Sequence, residues 1–199
     1  MALLRALGHQ KTSDGRKSLS AAWLVMCALL LSGGLDLSAQ TVPAREYQVK
    51  AVFLFNFAQF VDWPPQAFAD AQTPLVIGVL GRDPFGAYLD ETVRGETVNN
   101  RSLLVQRYGR VEDINTCHIL FISRSEADRL EQILARLRSR NILTVADAEG
   151  FALPGVMIRL VTVENKIRLR INLEVAQAAN LRISSKLLRT AEIISSGND

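Results

Sequence analysis

The chain has 199 residues, with 23 basic and 20 acidic side chains, a formal charge of +3, two Cys and two His. Its basic residues are dispersed among acidic ones with no aromatic-interleaved basic stripe, which excludes nucleic acid as an expected partner. So few Cys and His also exclude a dense metal-ligand cluster, and no metal or other cofactor is expected.

The first 39 residues read as a leader. Arg5, Lys11, Arg16 and Lys17 precede an apolar run at Ala21 to Leu31, and Ser38-Ala39 offers a small-residue cleavage site before Gln40. The run is shorter than the roughly 20 apolar residues a spanning helix needs, and Gly33, Gly34 and Asp36 close it. Arg16-Lys17 is not a twin-arginine pair, and Met26 ahead of Cys27 argues against a lipoprotein site. A cleaved signal peptide over 1–39 is therefore expected. Its product would be soluble and periplasmic, not inserted in a membrane, with a net charge of +1 from 19 basic and 18 acidic residues. About 160 residues remain, enough for one domain over 40–195, followed by a loose tail at 196–199.

The mature part opens on an aromatic helix. Residues 46–64 (EYQVKAVFLFNFAQFVDWP) carry Phe53, Phe55, Phe57 and Phe60, half of the chain's eight Phe. One face groups Val49, Val52, Phe53, Phe57 and Phe60, and the opposite face groups Tyr47, Ala51, Phe55 and Ala58. Gln48, Lys50, Asn56 and Gln59 are left as the wet positions. A helix apolar all round lies between two surfaces, so either both belong to this chain's core or one is a second subunit, met by Tyr47 and Phe55.

Trp63-Pro64-Pro65 stops this helix. LVIGVL (75–80) then reads as a parallel strand covered on both faces. Asp83 as N-cap and Pro84 at the first position launch a helix through Phe85, Leu89 and Val93. Strands follow within 102–108 and at 118–123. Ser125 begins a helix with Ala127, Leu130, Ile133, Leu134 and Leu137 on one side, and 142–147 is a fourth strand.

The pattern then turns antiparallel. Residues 156–163 and 166–173 flank Glu164-Asn165, a two-residue hairpin turn in which Asn suits positive φ. In the second strand Ile167, Leu169, Ile171 and Leu173 face one way, and Lys166, Arg168 and Arg170 the other. The arginine row reads either as a solvated face or as a recognition surface. Asn172 caps a short helix, and Ser184 or Ser185 opens a closing helix with Ile183, Leu187, Leu188, Ala191 and Ile194 on one side. The sum is a single Rossmann-like α/β domain, a mostly parallel sheet with a C-terminal antiparallel hairpin and flanking helices.

No catalytic group assembles from these residues. Gly81 to Gly86 has the spacing of a phosphate loop, but Ala87 and Tyr88 stand where Lys and Ser/Thr are required. Asp83, Asp90 and Glu91 read as caps and solvated helix residues. Asn100-Arg101-Ser102 fits a glycosylation sequon, an accident in a bacterial-type context. With Cys27 in the leader, Cys117 has no intramolecular disulfide partner. It opens an apolar strand as an inert buried residue, or else serves as a redox thiol or a bridge between chains. His118 beside it points to the opposite face and cannot activate it.

The ordered set FNFAQFVDWP, VIGVLGRDPFG, VRGETVNNRSLLVQR, CHILFIS, ILTVAD, GVMIRLV and KIRLRINLEVAQAANLRISSKLL resembles the YfiR family of periplasmic proteins over essentially the whole mature chain. The resemblance implies a compact α/β fold that tends to dimerise. It also implies a non-enzymatic negative regulator that binds the periplasmic domain of an inner-membrane diguanylate cyclase, lowering cyclic-di-GMP and restraining biofilm formation; a sensor kinase or outer-membrane receptor is the other implied partner class. The best-known members use cysteine pairs, whereas Cys117 alone falls on a family cysteine position. The competing reading is a periplasmic small-molecule binding protein using the crevice at the carboxyl ends of the strands, near Gly81 to Phe85 and Ser123 to Ser125.

Overall fold

The computed structural model describes residues 42–147 and 155–195. The expected leader and tail lie outside the described residues. In chain order the elements are α1 (Val42–Phe60), β1 (Val61–Asp62), β2 (Leu75–Leu80), α2 (Ala87–Val93), β3 (Thr97–Val98), β4 (Arg101–Tyr108), β5 (Ile119–Ile122), α3 (Leu130–Leu137), β6 (Leu143–Asp147), β7 (Ile158–Val163), β8 (Lys166–Asn172), α4 (Leu173–Ala178), β9 (Arg182–Ile183), α5 (Ser185–Leu188) and β10 (Ala191–Ile194).

Eight strands form one sheet in the order β10-β8-β7-β6-β5-β2-β4-β3. Pairing is parallel for β4-β2-β5-β6-β7 and for β8-β10, and antiparallel for β7-β8 and β3-β4. This is the expected mostly parallel α/β sheet with its antiparallel hairpin. Every residue of β2, β5 and β6 is buried, because helices cover both faces and the strands must be apolar on both. Leu75, Ile77, Val79, Ile119, Phe121, Leu143 and Val145 join α1 and α2 in one core. Leu80, Leu120, Ile122 and Ala146 join Leu130, Ile133 and Leu137 of α3 in the other.

At the hairpin both turn residues have positive φ, 49° at Glu164 and 58° at Asn165. That is the primed turn whose twist matches its strands, and the Val163↔Lys166 register imposes it on Glu164 although only Asn165 suits it. Asn172 caps α4 as expected, its Oδ1 accepting from the Val175 N–H at 3.1 Å.

Four local expectations are corrected. First, α2 begins at Ala87 after Gly86, and Asp83 instead closes the preceding turn by accepting from the Phe85 N–H at 2.7 Å. Second, Ser123 caps a 3-10 segment (Arg124–Arg129) ahead of α3; Ser125 uses its hydroxyl to accept from the Arg82 N–H at 2.9 Å.

The third concerns the closing helix, which stops after four residues; Ala191–Ile194 is an edge strand beside β8. Helical spacing of Ala191 and Ile194 misleads here. Backbone groups on the open side of β8 need partners, and the β-branched Ile193-Ile194 pair suits a strand. Fourth, Ile183, expected on the closing helix, lies instead in β9, which pairs with β1 in a two-stranded sheet registered Val61↔Ile183 that holds the end of α1; segments so short carry no periodicity to read.

Candidate functional site

The inner face of α1 is not the one that its sequence suggests. Ala51, Leu54, Phe57, Ala58 and Val61 are buried, and so is Lys50, with none of its surface exposed. Lys50 was expected among the wet positions, while Val49 and Val52, expected on an apolar inner face, are 49% and 47% exposed. The helix therefore turns a cation inward and two valines outward.

Lys50 is tolerated because a polar network receives it. Its Nζ lies 2.8 Å from Asp147 Oδ2, pairs with the Glu46 carboxylate one helical turn earlier, and sits 4.7 Å from the centre of the Tyr47 ring. Tyr47 donates its hydroxyl to Asp147 at 2.7 Å, Arg124 donates to the other Asp147 oxygen at 3.1 Å, and Thr162 donates to Glu46 at 2.9 Å. Burial pushes the Asp147 carboxyl up, but hydrogen bonds from Lys50, Tyr47 and Arg124 outweigh it and hold the group below its ordinary range. The Tyr47 hydroxyl is pushed up, by burial first and then by the Asp147 carboxylate.

This network stands where an α/β fold usually keeps a ligand, at the carboxyl end of a parallel strand. Among the described residues, the protein's own groups line this end of the sheet. Phe85 is buried between Tyr47, at 5.5 Å and edge-on, and Phe121, at 4.7 Å. At Gly81, whose φ is +88°, a Cβ would come within 2.5 Å of Ser125 Oγ and 2.7 Å of the Glu126 side chain. Gly81 thus brings the β5-α3 turn against the end of β2. A separate cleft of about 90 Å³ lies near Asp62, Trp63, Phe68 and Arg101, well under the roughly 300–1,000 Å³ of ordinary ligand sites.

The remaining candidates are placed as follows. Cys117 is buried, its thiol directed at the Ile119 carbonyl at 3.1 Å, and burial pushes its pKa up to about 12. A thiol so placed is protonated at neutral pH and is a poor nucleophile. Its Sγ packs against Gly78, where an added Cβ would approach it to 2.8 Å. Asp83 and Asp90 are neither free caps nor an acid/base pair; both bind the Arg107 guanidinium, Asp83 at 2.7 Å. That hydrogen bond holds the Asp90 carboxyl below its ordinary range.

Tyr47 belongs to the internal network, and Phe55 is half-buried against the main core. Arg168 is exposed on β8, and Arg170 bonds Glu192 of β10 at 2.9 Å. Neither Lys50 nor Asp147 was expected at a site. Their signals were a carboxylate four residues before Lys50 on the same helix face and an acid closing an apolar strand.

On its outward side α1 exposes Val49 and Val52, with exposed Arg45 and Gln59 one or two turns away on the same row. Val52 and the half-buried Phe53 stand three and four residues after Val49, and the half-buried Phe60 seven after Phe53. At the sheet's edge Ile193 is 49% exposed, and its register partner Ile171 lies in the core shared with α1. Among the described residues no helix is long and apolar enough to cross a membrane, and no group of three metal-ligating side chains occurs.

No curated protein matches the chain significantly. The family model described as DUF4154, YfiR/HmsC-like, matches residues 47–192, from the network tyrosine on α1 to the edge strand β10. On that match, which spans most of the chain and the described sheet as far as the start of β10, the protein belongs to the YfiR/HmsC-like family.

Proposed function

We propose that this chain is an exported, non-enzymatic regulator that binds the periplasmic domain of an inner-membrane signalling protein, a diguanylate cyclase foremost, and holds it inactive. Repression would lower cyclic-di-GMP and limit biofilm formation. Family membership supports this reading. The geometric observation that carries it is the outward face of α1, where Val49 and Val52 are half exposed on a helix whose other side is fixed to the core. Two exposed valines flanked by polar Arg45 and Gln59 on a rigid element suit protein docking. Arg168 and Arg170 alternate with the core-facing Leu169 and Ile171 and so lie on the sheet face away from α1; as a partner contact they would form a second surface, apart from the α1 valines.

Binding of a small molecule has less support, because among the described residues Phe85, Tyr47 and the Gly81–Ser125 contact stand at the strand ends such a ligand would use. A homodimer formed through this α1 face, and not through Tyr47 and Phe55, would compete with the partner complex for it. The test pairs two measurements. Affinity capture from solubilised membranes should recover one inner-membrane signalling protein, and deletion of the gene should raise cyclic-di-GMP several-fold. An unchanged cyclic-di-GMP level with no membrane protein captured would overturn the proposal.

A further inference from the structure

At the amino ends of the parallel strands, His118 is built into the fold as an uncharged double hydrogen-bonding group. Its Nδ1 accepts from the Val76 N–H at 3.0 Å, and its Nε2 lies 3.1 Å from the Ala67 carbonyl. An amide N–H can only donate and a carbonyl can only accept, so Nδ1 must be bare and Nε2 must carry the single proton. The ring also stacks on Phe68 at 4.4 Å and 16°, and meets Trp63 edge-on at 6.3 Å. Trp63 donates its indole N–H to the His118 carbonyl at 3.2 Å.

One side chain therefore holds Trp63, Ala67 and Phe68 of the segment that runs from the end of α1 to β2. A second proton can enter only at Nδ1, where it would meet the Val76 N–H as donor against donor. The bond that registers the segment against β2 would be lost. Among the described residues, no carboxylate is hydrogen-bonded to the ring, whose partners are the Val76 N–H and the Ala67 carbonyl. From β4 the Arg101 guanidinium lies 3.8 Å from the centre of the Phe68 ring, on which His118 is stacked, and is itself bound to the Asp70, Ala71 and Thr73 carbonyls. The Asp70 carboxylate is occupied by the Gln72 and Thr73 amides. Asp62 lies on the wall of the cleft beside Trp63 and Arg101. Cys117, on His118's own strand approach, directs its thiol toward Ile119 and Gly78. Burial lowers the imidazole's proton affinity further.

We propose that His118 is an acid-triggered release for the 63–73 segment: protonation at Nδ1 breaks its bond to the Val76 amide, frees the Trp63 and Phe68 contacts and loosens the C-terminal end of α1, leaving the sheet intact. The device is independent of what the protein binds.

The test uses the full chain with His9→Asn and Trp23→Phe, so that His118 and Trp63 report alone. On acidification the His118 ring resonance should titrate with a midpoint below 6.5. Trp63 emission should shift to the red with the same midpoint, and the far-UV circular dichroism should stay unchanged through that step. Protection of the Val76 amide against hydrogen exchange, corrected for the intrinsic rate, should fall at least tenfold across it. In His118→Asn the carboxamide oxygen can still accept from Val76 but cannot titrate, and the Trp63 step should vanish. A midpoint at or above 6.5, a Trp63 step that persists in His118→Asn, unchanged Val76 protection, or loss of the far-UV signal at the same pH would each overturn the proposal. The wild-type exchange measurement decides the matter even if His118→Asn does not fold.

Discussion

Val49 and Lys50 are neighbours in the chain and opposites in the fold. The valine is half exposed, whereas the lysine has no exposed surface and binds Asp147 at 2.8 Å. The inner side of α1 thus joins apolar packing to a charged network at its N-terminal half, and the outer side keeps apolar groups in water. Burying an ion pair contributes little net stability over an apolar pair. Leaving valines exposed contributes none at all. Neither choice adds much to the stability of the fold, and the difference between them separates what holds α1 in place from what α1 presents.

Removing the inner cation is the severest way to break this contrast. Lys50→Met leaves Asp147 buried without its main partner and should lower unfolding stability by about 3–5 kcal/mol in a urea titration. Val49→Met, one residue away, should stay within about 0.5 kcal/mol of wild type. Equal losses from the two substitutions would show that the inner and outer faces are not distinct.

Packing on the far face of the sheet supplies an uncharged reference. In Gly78→Ala the new methyl meets Cys117 Sγ and Tyr108 Cε2, both at 2.8 Å, and overpacking of this kind should cost about 1–3 kcal/mol by calorimetry. The same crowding should keep Cys117 unreactive toward a thiol reagent in the folded state, and reactive only at the rate of unfolding.

Acid acts on the inner face. The Asp147 carboxyl is held below its ordinary 3.8 in the folded state, so the unfolded chain binds its proton first. The stability it contributes is complete above that ordinary value and is lost as pH falls through the folded one. In Lys50→Met the carboxyl loses a main cause of its depression, and the acid limb of the stability curve should move to higher pH. A limb that does not move would remove Asp147 from the network's energetics.

The sheet was legible in the sequence because its strands are short, apolar and bounded by Gly, Pro or polar turns. β2, β5, β6 and the β7–β8 hairpin lie where periodicity placed them. What misled was local pattern without tertiary context. Ala191 and Ile194 have helical spacing, yet the open edge of β8 takes them as a strand. Around α1, four closely spaced Phe suggested burial on every side, and Lys50 looked wet because a lysine's partners cannot be seen from its own segment. Asp147 is 97 residues away in the chain and Thr162 is farther still. The buried network was therefore invisible as a unit, although Glu46 and Lys50 stand at the four-residue spacing that brings side chains together on a helix. His118 was separated from Cys117 by an argument from strand alternation, although β5 begins only at Ile119; its bonds to Val76 and Ala67 depend on the path of the 63–73 segment.

The outer face of α1 is the part of the molecule whose role is least explained by folding, and one variant isolates it. Val49→Glu combined with Val52→Glu places two charges on exposed helix positions and should leave the urea midpoint within experimental error of wild type. In capture from solubilised membranes, this folded variant should recover the inner-membrane partner at less than a tenth of the wild-type yield. Recovery at the wild-type yield would contradict the assignment of α1 as the docking surface.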